Sequence, residues 1–237
     1  MISGKSFSSL CRWSVDNRTP EIEPFHYARA SPGDWVFVNG DFLVALTTSM
    51  PFLAVKKFVF IIHNTDRPFG AEELRRLLPH ANLIYAINTT VSHPRLTTIP
   101  IGFVDRQLPF LSSYRPSGER RDIEIYMNFT AGTNIQKRRE CALIFEKDPR
   151  VTTRSGLTVP EYYNNLSRAK YVLCPEGTGI DTHRVYEAIF CGAIPVVVRN
   201  SLAHMYEKLP VCIVNAWTDP FYEPREKVFN TSARFYL

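Results

Sequence analysis

One stretch of the chain combines residue types and spacings that suit phosphate chemistry. It reads Cys174-Pro175-Glu176-Gly177-Thr178-Gly179-Ile180-Asp181-Thr182-His183-Arg184, then Glu187-Ala188, then Gly192-Ala193-Ile194-Pro195-Val196. Gly177 and Gly179 free the backbone for a tight turn, and Asp181 or Thr182 is placed to cap a helix that opens on His183 and Arg184. Cations in a first helical turn oppose the macrodipole and cost a few tenths to about 1 kcal/mol unless an anion faces them. A helix N-terminus behind a glycine loop is where phosphate binds. Glu187 follows His183 by four residues and Arg184 by three, so the three share one side of the helix. His183 and Arg184 would face phosphates and Glu187 would accept hydrogen bonds from ribose hydroxyls. The competing reading is a cap, an Arg184–Glu187 surface pair and ordinary turn glycines. A second unit of the same design lies upstream, where the turn 130–134 runs into a helix with Lys137, Arg138 and Arg139 in its first turns. Converging positive potential of this kind suits a nucleotide diphosphate. A third set, Asp41, His63 and Asp66, follows apolar runs in the first half of the chain.

The elements that must position these groups follow from hydrophobic patterning. Residues 1–33 read as irregular, pinned by Trp13 and Phe25. Apolar runs at 35–38, 57–62, 82–87 and 96–101 predict strands, with helices at 42–50, stopped by Pro51, and at 71–78. Pro, Ser and Gly at 109–118 and the charged residues 119–122 predict a linker. A second alternation follows: strand 123–129, helix 135–147, strand 150–154, helix 159–169, strand 171–173, the glycine block with its helix, and strands at 194–198 and 212–214. The remainder, 216–237, reads as polar and partly helical. Continuous apolar strands alternating with helices imply parallel sheets covered on both faces. In such sheets ligands sit beyond the carboxyl ends of strands, where Asp41, His63, Asp66 and Asn88 all fall.

Composition sets bounds without choosing a function. The chain of 237 residues carries a net charge of +5, with its basic residues dispersed apart from 137–139 and the pairs Arg75-Arg76 and Arg120-Arg121, which read as solvated surface. No basic stripe interleaved with aromatics points to nucleic acid. Five cysteines, in no metal-binding spacing, read as buried free thiols of a reducing compartment. With no signal peptide and no apolar run of membrane-spanning length, the expectation is a cytoplasmic protein whose Asn-x-Ser/Thr sequences are fortuitous.

The block 174–196 resembles the nucleotide-sugar block of exostosin-like glycosyltransferases, including small virus-type and bacterial relatives. The likeness is close over about 30 residues, while the first half matches in layout only, with His63-Asn64-Thr65-Asp66 its one suggestive cluster. The resemblance implies a GT-B fold: two Rossmann-like α/β domains with parallel sheets facing across a cleft. It divides the chain into an acceptor-side domain, 1–115, and a nucleotide-sugar-binding domain, 116–215, and leaves open whether the tail 216–237 packs back on the first. It implies an inverting transfer, independent of metal and cofactor, from a UDP-sugar to a hydroxyl of a glycan acceptor, with a pentose such as xylose slightly favoured. The donor would lie against Arg138, Glu176, Gly177, Thr178, Gly179, Asp181, Thr182, His183, Arg184 and Glu187, with Glu187 on the ribose and both arginines on the diphosphate. The general base would be Asp66, with His63 and Asp41 as rivals. The alternative function is a non-catalytic nucleotide- or glycan-binding module on the same fold.

Overall fold

The computed structural model describes residues 1–17, 21–51, 56–116 and 120–221. The contacts divide the chain into two compact units, Ile2–Ile101 and a second that begins at Gly102. Each is built on one sheet of parallel strands.

In the N-terminal unit a short helix α1 (Gly4–Ser8) precedes strands β1 (Trp13–Val15), β2 (Glu23–Pro24) and β3 (Trp35–Asn39). Helix α2 (Leu43–Ser49), strand β4 (Phe58–His63), helix α3 (Ala71–Leu77) and strands β5 (Ala81–Ala86) and β6 (Leu96–Thr98) follow. The strand order is β2-β1-β3-β4-β5-β6. All six residues of β4 are buried, which is why its sequence is a continuous apolar run rather than an alternating one. Helix α3 opens at Gly70, whose N–H donates to the Glu73 carboxylate at 2.9 Å, and turns Leu74 and Leu77 into the core. The expectation that 1–33 is irregular is corrected: α1, β1 and β2 come from this stretch. Trp13 anchors it, fully buried, with its indole N–H donating to Asp34 at 2.7 Å.

The C-terminal unit contains helix α4 (Leu108–Ser113), strand β7 (Ile123–Met127), helix α5 (Ile135–Phe145), strand β8 (Val151–Thr153), helix α6 (Val159–Arg168) and strand β9 (Ala169–Leu173). Helix α7 (His183–Phe190), strand β10 (Ile194–Val198), helix α8 (Ala203–Tyr206) and strand β11 (Cys212–Val214) complete it. Part of the predicted linker is thus a helix. Pro109 lies in the first turn of α4, where its missing N–H costs nothing. Nearby, Phe110 and Tyr114 pack against Tyr163 with ring centroids 5.5 and 5.7 Å away. Arg121 is also not simply solvated surface: its guanidinium donates to the carbonyls of Ala169 at 2.5 Å and Cys191 at 3.3 Å, tying the start of β9 to the end of α7. There Gly192 takes φ +73°, the left-handed residue that closes a helix. All five cysteines are free and buried. The expected helix in the tail falls mainly on 222–237, outside the described residues, and 216–221 contains none.

The strand order of this unit's sheet is β8-β7-β9-β10-β11. From β7 the chain crosses through α5 to the outer strand β8, and from β9 it crosses through α7 to β10 on the other side. Order therefore reverses between β7 and β9, the point in such sheets beyond whose carboxyl ends ligands commonly bind. The N-termini of α5 and α7 lie on that side of the sheet, because those are the helices that follow the two strands.

Candidate functional site

The residues after β7 and β9 are cross-linked into one structure. Asn134 accepts from the Lys137 N–H at 3.1 Å, capping α5, and donates through Nδ2 to the Gly177 carbonyl at 2.9 Å. Thr178 donates to the Thr133 carbonyl at 3.3 Å. Arg138 donates from Nε to the Glu176 carbonyl at 3.1 Å and from Nη1 to the Thr130 carbonyl at 2.8 Å. Its Nη2 has no partner among the described residues and sits so close to the glycine loop that a Cβ on Gly177 would lie 2.9 Å from it. Gly177 is thus required for close approach rather than for a left-handed backbone.

Arg184 comes from the first turn of α7 and lies half-buried near Arg138. The ring of Phe129 lies 5.7 Å from the Arg138 guanidinium and 5.9 Å from that of Arg184. Neither arginine has a carboxylate within ion-pair distance among the described residues. Burial and the Arg184 cation together pull the pKa of Arg138 down to about 10, so the pair is in mutual repulsion. Burial also disfavours charge on Arg184, but its neighbours Tyr162, Cys174 and Glu187 outweigh this and raise its pKa. Four buried side-chain atoms in the described residues lack a partner, and three are Tyr126 Oη, Thr182 Oγ1 and Arg184 Nε, from β7 and the start of α7. Buried polar groups are almost always satisfied, so three unpartnered atoms on β7 and the first turn of α7 are an unusual concentration.

The remaining donor-side candidates fall into distinct roles. Glu187 is buried and accepts from the Tyr162 hydroxyl at 2.7 Å. Burial and the Glu187 carboxylate push the Tyr162 pKa well up, so its proton stays in that bond. His183 donates from Nδ1 to the Gly102 carbonyl at 2.7 Å. Glu176 accepts from the Asn200 amide at 3.0 Å, and Gly177 donates to the Gly179 carbonyl at 3.0 Å, closing the turn. Asp181 is buried, with its oxygens accepting from Tyr186 at 2.6 Å and Tyr206 at 2.8 Å. It holds the loop from behind. Thr182 is the N-cap residue of α7, but its hydroxyl makes no capping bond, contrary to the expectation that Asp181 or Thr182 caps the helix through its side chain.

A cavity of about 340 Å³ adjoins these groups. Asn128, Phe129 and Thr130 at the end of β7, the segment after β8 and Tyr162 of α6 contribute to its lining. Sequence reasoning missed Phe129 and the segment 154–157, although a glycine just past a strand was visible at Gly156.

The candidates of the N-terminal unit lie at the carboxyl end of its own sheet. His63 is 1% exposed, its ring 5.3 Å from Phe7 of α1 and 6.4 Å from Phe37, with Nδ1 3.0 Å from Asn64 Oδ1. Asp41 accepts from Thr65 at 2.8 Å and pairs with Arg67 at 3.3 Å. Asp66 is exposed and has no hydrogen bond or ion pair among the described residues. Asn64 and Asn88 both have positive φ, 56° and 53°, a conformation Asn tolerates better than most residues. Asn88 donates to the Thr65 carbonyl at 3.3 Å, fixing the loop that carries Asp66. Among the described residues no three His, Cys, Asp or Glu side chains come together as metal ligands, and no helix is long and apolar enough to cross a membrane.

Residues 112–221 match the model of a family described as the RXYLT1 C-terminal domain. The match supports a glycosyltransferase family for this stretch, which includes every donor-side candidate. No curated protein matches the chain.

Proposed function

We propose that the protein is a glycosyltransferase of GT-B type that moves a sugar, xylose being favoured, from a UDP-sugar to a hydroxyl of a glycan acceptor with inversion. The observation that carries the reading is the pair of guanidiniums beside Phe129, close enough to repel and without a carboxylate partner. A diphosphate offers two negative centres to such a pair, and Arg–phosphate hydrogen bonds are among the stronger ones in proteins. The similarity of 112–221 to the RXYLT1 C-terminal domain, a xylosyltransferase-like domain, supports the sugar class.

In this reading Arg138 and Arg184 hold the diphosphate, with His183 and the turn 176–179 beside them. Glu187 accepts from the ribose while Tyr162 keeps it oriented. As the glycosidic bond breaks, negative charge grows on the departing diphosphate. Donors already fixed in place stabilise that charge without reorganising. A carboxylate removes the acceptor proton, a contribution of about 10² to 10⁴ in rate. Asp66 is the choice because it is exposed and unpaired, whereas His63 is enclosed and Asp41 is engaged by Arg67.

Calorimetric titration with UDP tests the reading. Arg184→Ala should weaken UDP at least tenfold, and an unaltered affinity would remove the phosphate role. UDP binding with neither transfer nor hydrolysis of any UDP-sugar would favour the non-catalytic binding module instead.

A further inference from the structure

Helix α7 carries Arg184 and Glu187 but starts weakly on its own. Thr182 gives it no side-chain cap, and its first turn holds Arg184 with no acidic residue beside it, so neither capping nor the dipole supports that end. Support comes from residues distant in the chain. At the far end, Arg121 donates to the Cys191 carbonyl at 3.3 Å. At the near end, His183, the first residue of α7, donates from Nδ1 to the Gly102 carbonyl at 2.7 Å. A carbonyl only accepts, so Nδ1 carries the proton and the ring is held through it. Gly102 is buried and takes φ +66°, a conformation that favours glycine. The next residue, Phe103, is 1% exposed and packs edge-on against Phe190, the last residue of α7, with ring centroids 5.7 Å apart. Residues 102 and 103 thus contact α7 at both of its ends. Beyond them, Gln107 accepts from the Tyr163 hydroxyl at 2.8 Å, which fixes the same segment to α6.

We infer that His183 is a positioning residue: its bond to Gly102 fixes the first turn of α7, and through that turn the neighbouring Arg184, and it does not itself touch phosphate. The inference rests on the diphosphate reading and deepens it. Successive residues of a helix point about 100° apart, so the rotation that brings His183 onto Gly102 also sets the direction in which Arg184 leaves the helix. Arg184 needs such outside support. It stands near Arg138, whose cation repels it, and has no carboxylate within ion-pair distance among the described residues. Only a hydrogen bond from Nδ1 is required of the imidazole in this role, not a charge. The residue that the spacing offered as a phosphate ligand is instead the one that holds a phosphate ligand in place.

Calorimetry on the full chain with UDP and inorganic pyrophosphate tests the assignment. The side-chain amide of Asn can take the place of the imidazole Nδ1–H, and that of Gln the place of Nε2. His183→Ala and His183→Gln should weaken both ligands about tenfold, and His183→Asn should recover most of that loss. In an Arg184→Ala background His183→Ala should add nothing, since it acts through that side chain. Gly102→Ala strains the left-handed peptide and shifts the acceptor, so it approaches the same bond from its other end. It should weaken both ligands to a similar extent without adding to His183→Ala, which keeps the test standing if one variant folds poorly. Recovery by Gln instead of Asn, an additive loss on Arg184→Ala, or full affinity in His183→Ala overturns the positioning role. These failures spare the diphosphate reading as long as Arg184→Ala weakens pyrophosphate. If the wild type binds no pyrophosphate, that reading fails and the role assigned to His183 falls with it.

Discussion

A single methyl group tests whether Arg138 works through its position. In Gly177→Ala the new Cβ would lie 2.9 Å from Arg138 Nη2, closer than side chains approach one another. The guanidinium cannot simply swing away, because Nε and Nη1 are held by the Glu176 and Thr130 carbonyls. It must either give up one of these bonds or move off the face it turns to the ligand. A hydrogen bond to a charged group is worth about 1.5–3 kcal/mol, so losing one phosphate contact should weaken UDP on the order of 10- to 150-fold. No left-handed strain enters, because Gly177 does not occupy that conformation, so the loss of stability is limited to the guanidinium bond given up, about 1.5–3 kcal/mol at most. The expected pattern is a modest fall in melting temperature with a large loss of UDP affinity in calorimetry. Arg138→Ala supplies the control: the double variant should bind UDP no worse than Arg138→Ala alone, since the methyl acts only through that side chain. Full UDP affinity in Gly177→Ala, or an additive loss in the double variant, would refute the reasoning.

Three further substitutions separate the roles assigned to carboxylates and their partners. Asp66→Asn should abolish sugar transfer in a radiolabelled-donor assay while UDP affinity and the melting temperature stay near wild type, as expected at an exposed position; undiminished turnover removes Asp66 as the base. Asp181→Ala should lower stability by about 3 kcal/mol or more in denaturant titration, because two buried tyrosine hydroxyls lose their acceptor at about 1–3 kcal/mol each; a loss under about 1 kcal/mol would mean the loop is held by other means. Tyr162→Phe should cost about 1.5 kcal/mol of stability and weaken UDP several-fold by leaving Glu187 without its hydroxyl donor, and unchanged values of both would show that Glu187 needs no orientation.

What the sequence made legible follows from how much of each signal is local. Strands β4 and β7 and the unit from β9 through α7 to β10 were readable because continuous apolar runs bounded by glycine and proline have few other meanings. Strands β1 and β2 were not readable. Three and two residues long, they include a buried serine, Ser14, and an exposed Glu-Pro pair. They are strands only because β3 and then β1 offer edges to pair with. Helix α4 was hidden by Pro109 and two serines whose hydroxyls bond back to Pro109 and Phe110 carbonyls. In the site itself, the arginines were legible as charges placed against a helix dipole. Phe129 was not, because it reads as the end of a strand, and neither was the segment after β8, whose place in a cavity wall depends on residues distant in the chain.

The same contrast explains why the site can be both costly and selected. Two cations side by side in a partly buried setting lower the stability of the free protein, and an orphaned Arg184 Nε adds the full desolvation penalty of that group, about 1–3 kcal/mol. A chain optimised for stability alone would replace one arginine with an apolar residue of similar length, since isolated buried charges are among the most expensive groups to fold around. The sheet topology supplies the reason to keep both. At an order reversal two helix N-termini follow neighbouring strands, so each added arginine strengthens a field that already favours an anion. On the proposed reading, a bound anion would release the repulsion, satisfy the orphaned donor and engage both dipoles at once. The ligand's affinity would then include strain that the free protein carried, and the residues least favourable for folding would be the ones on which the proposed function rests.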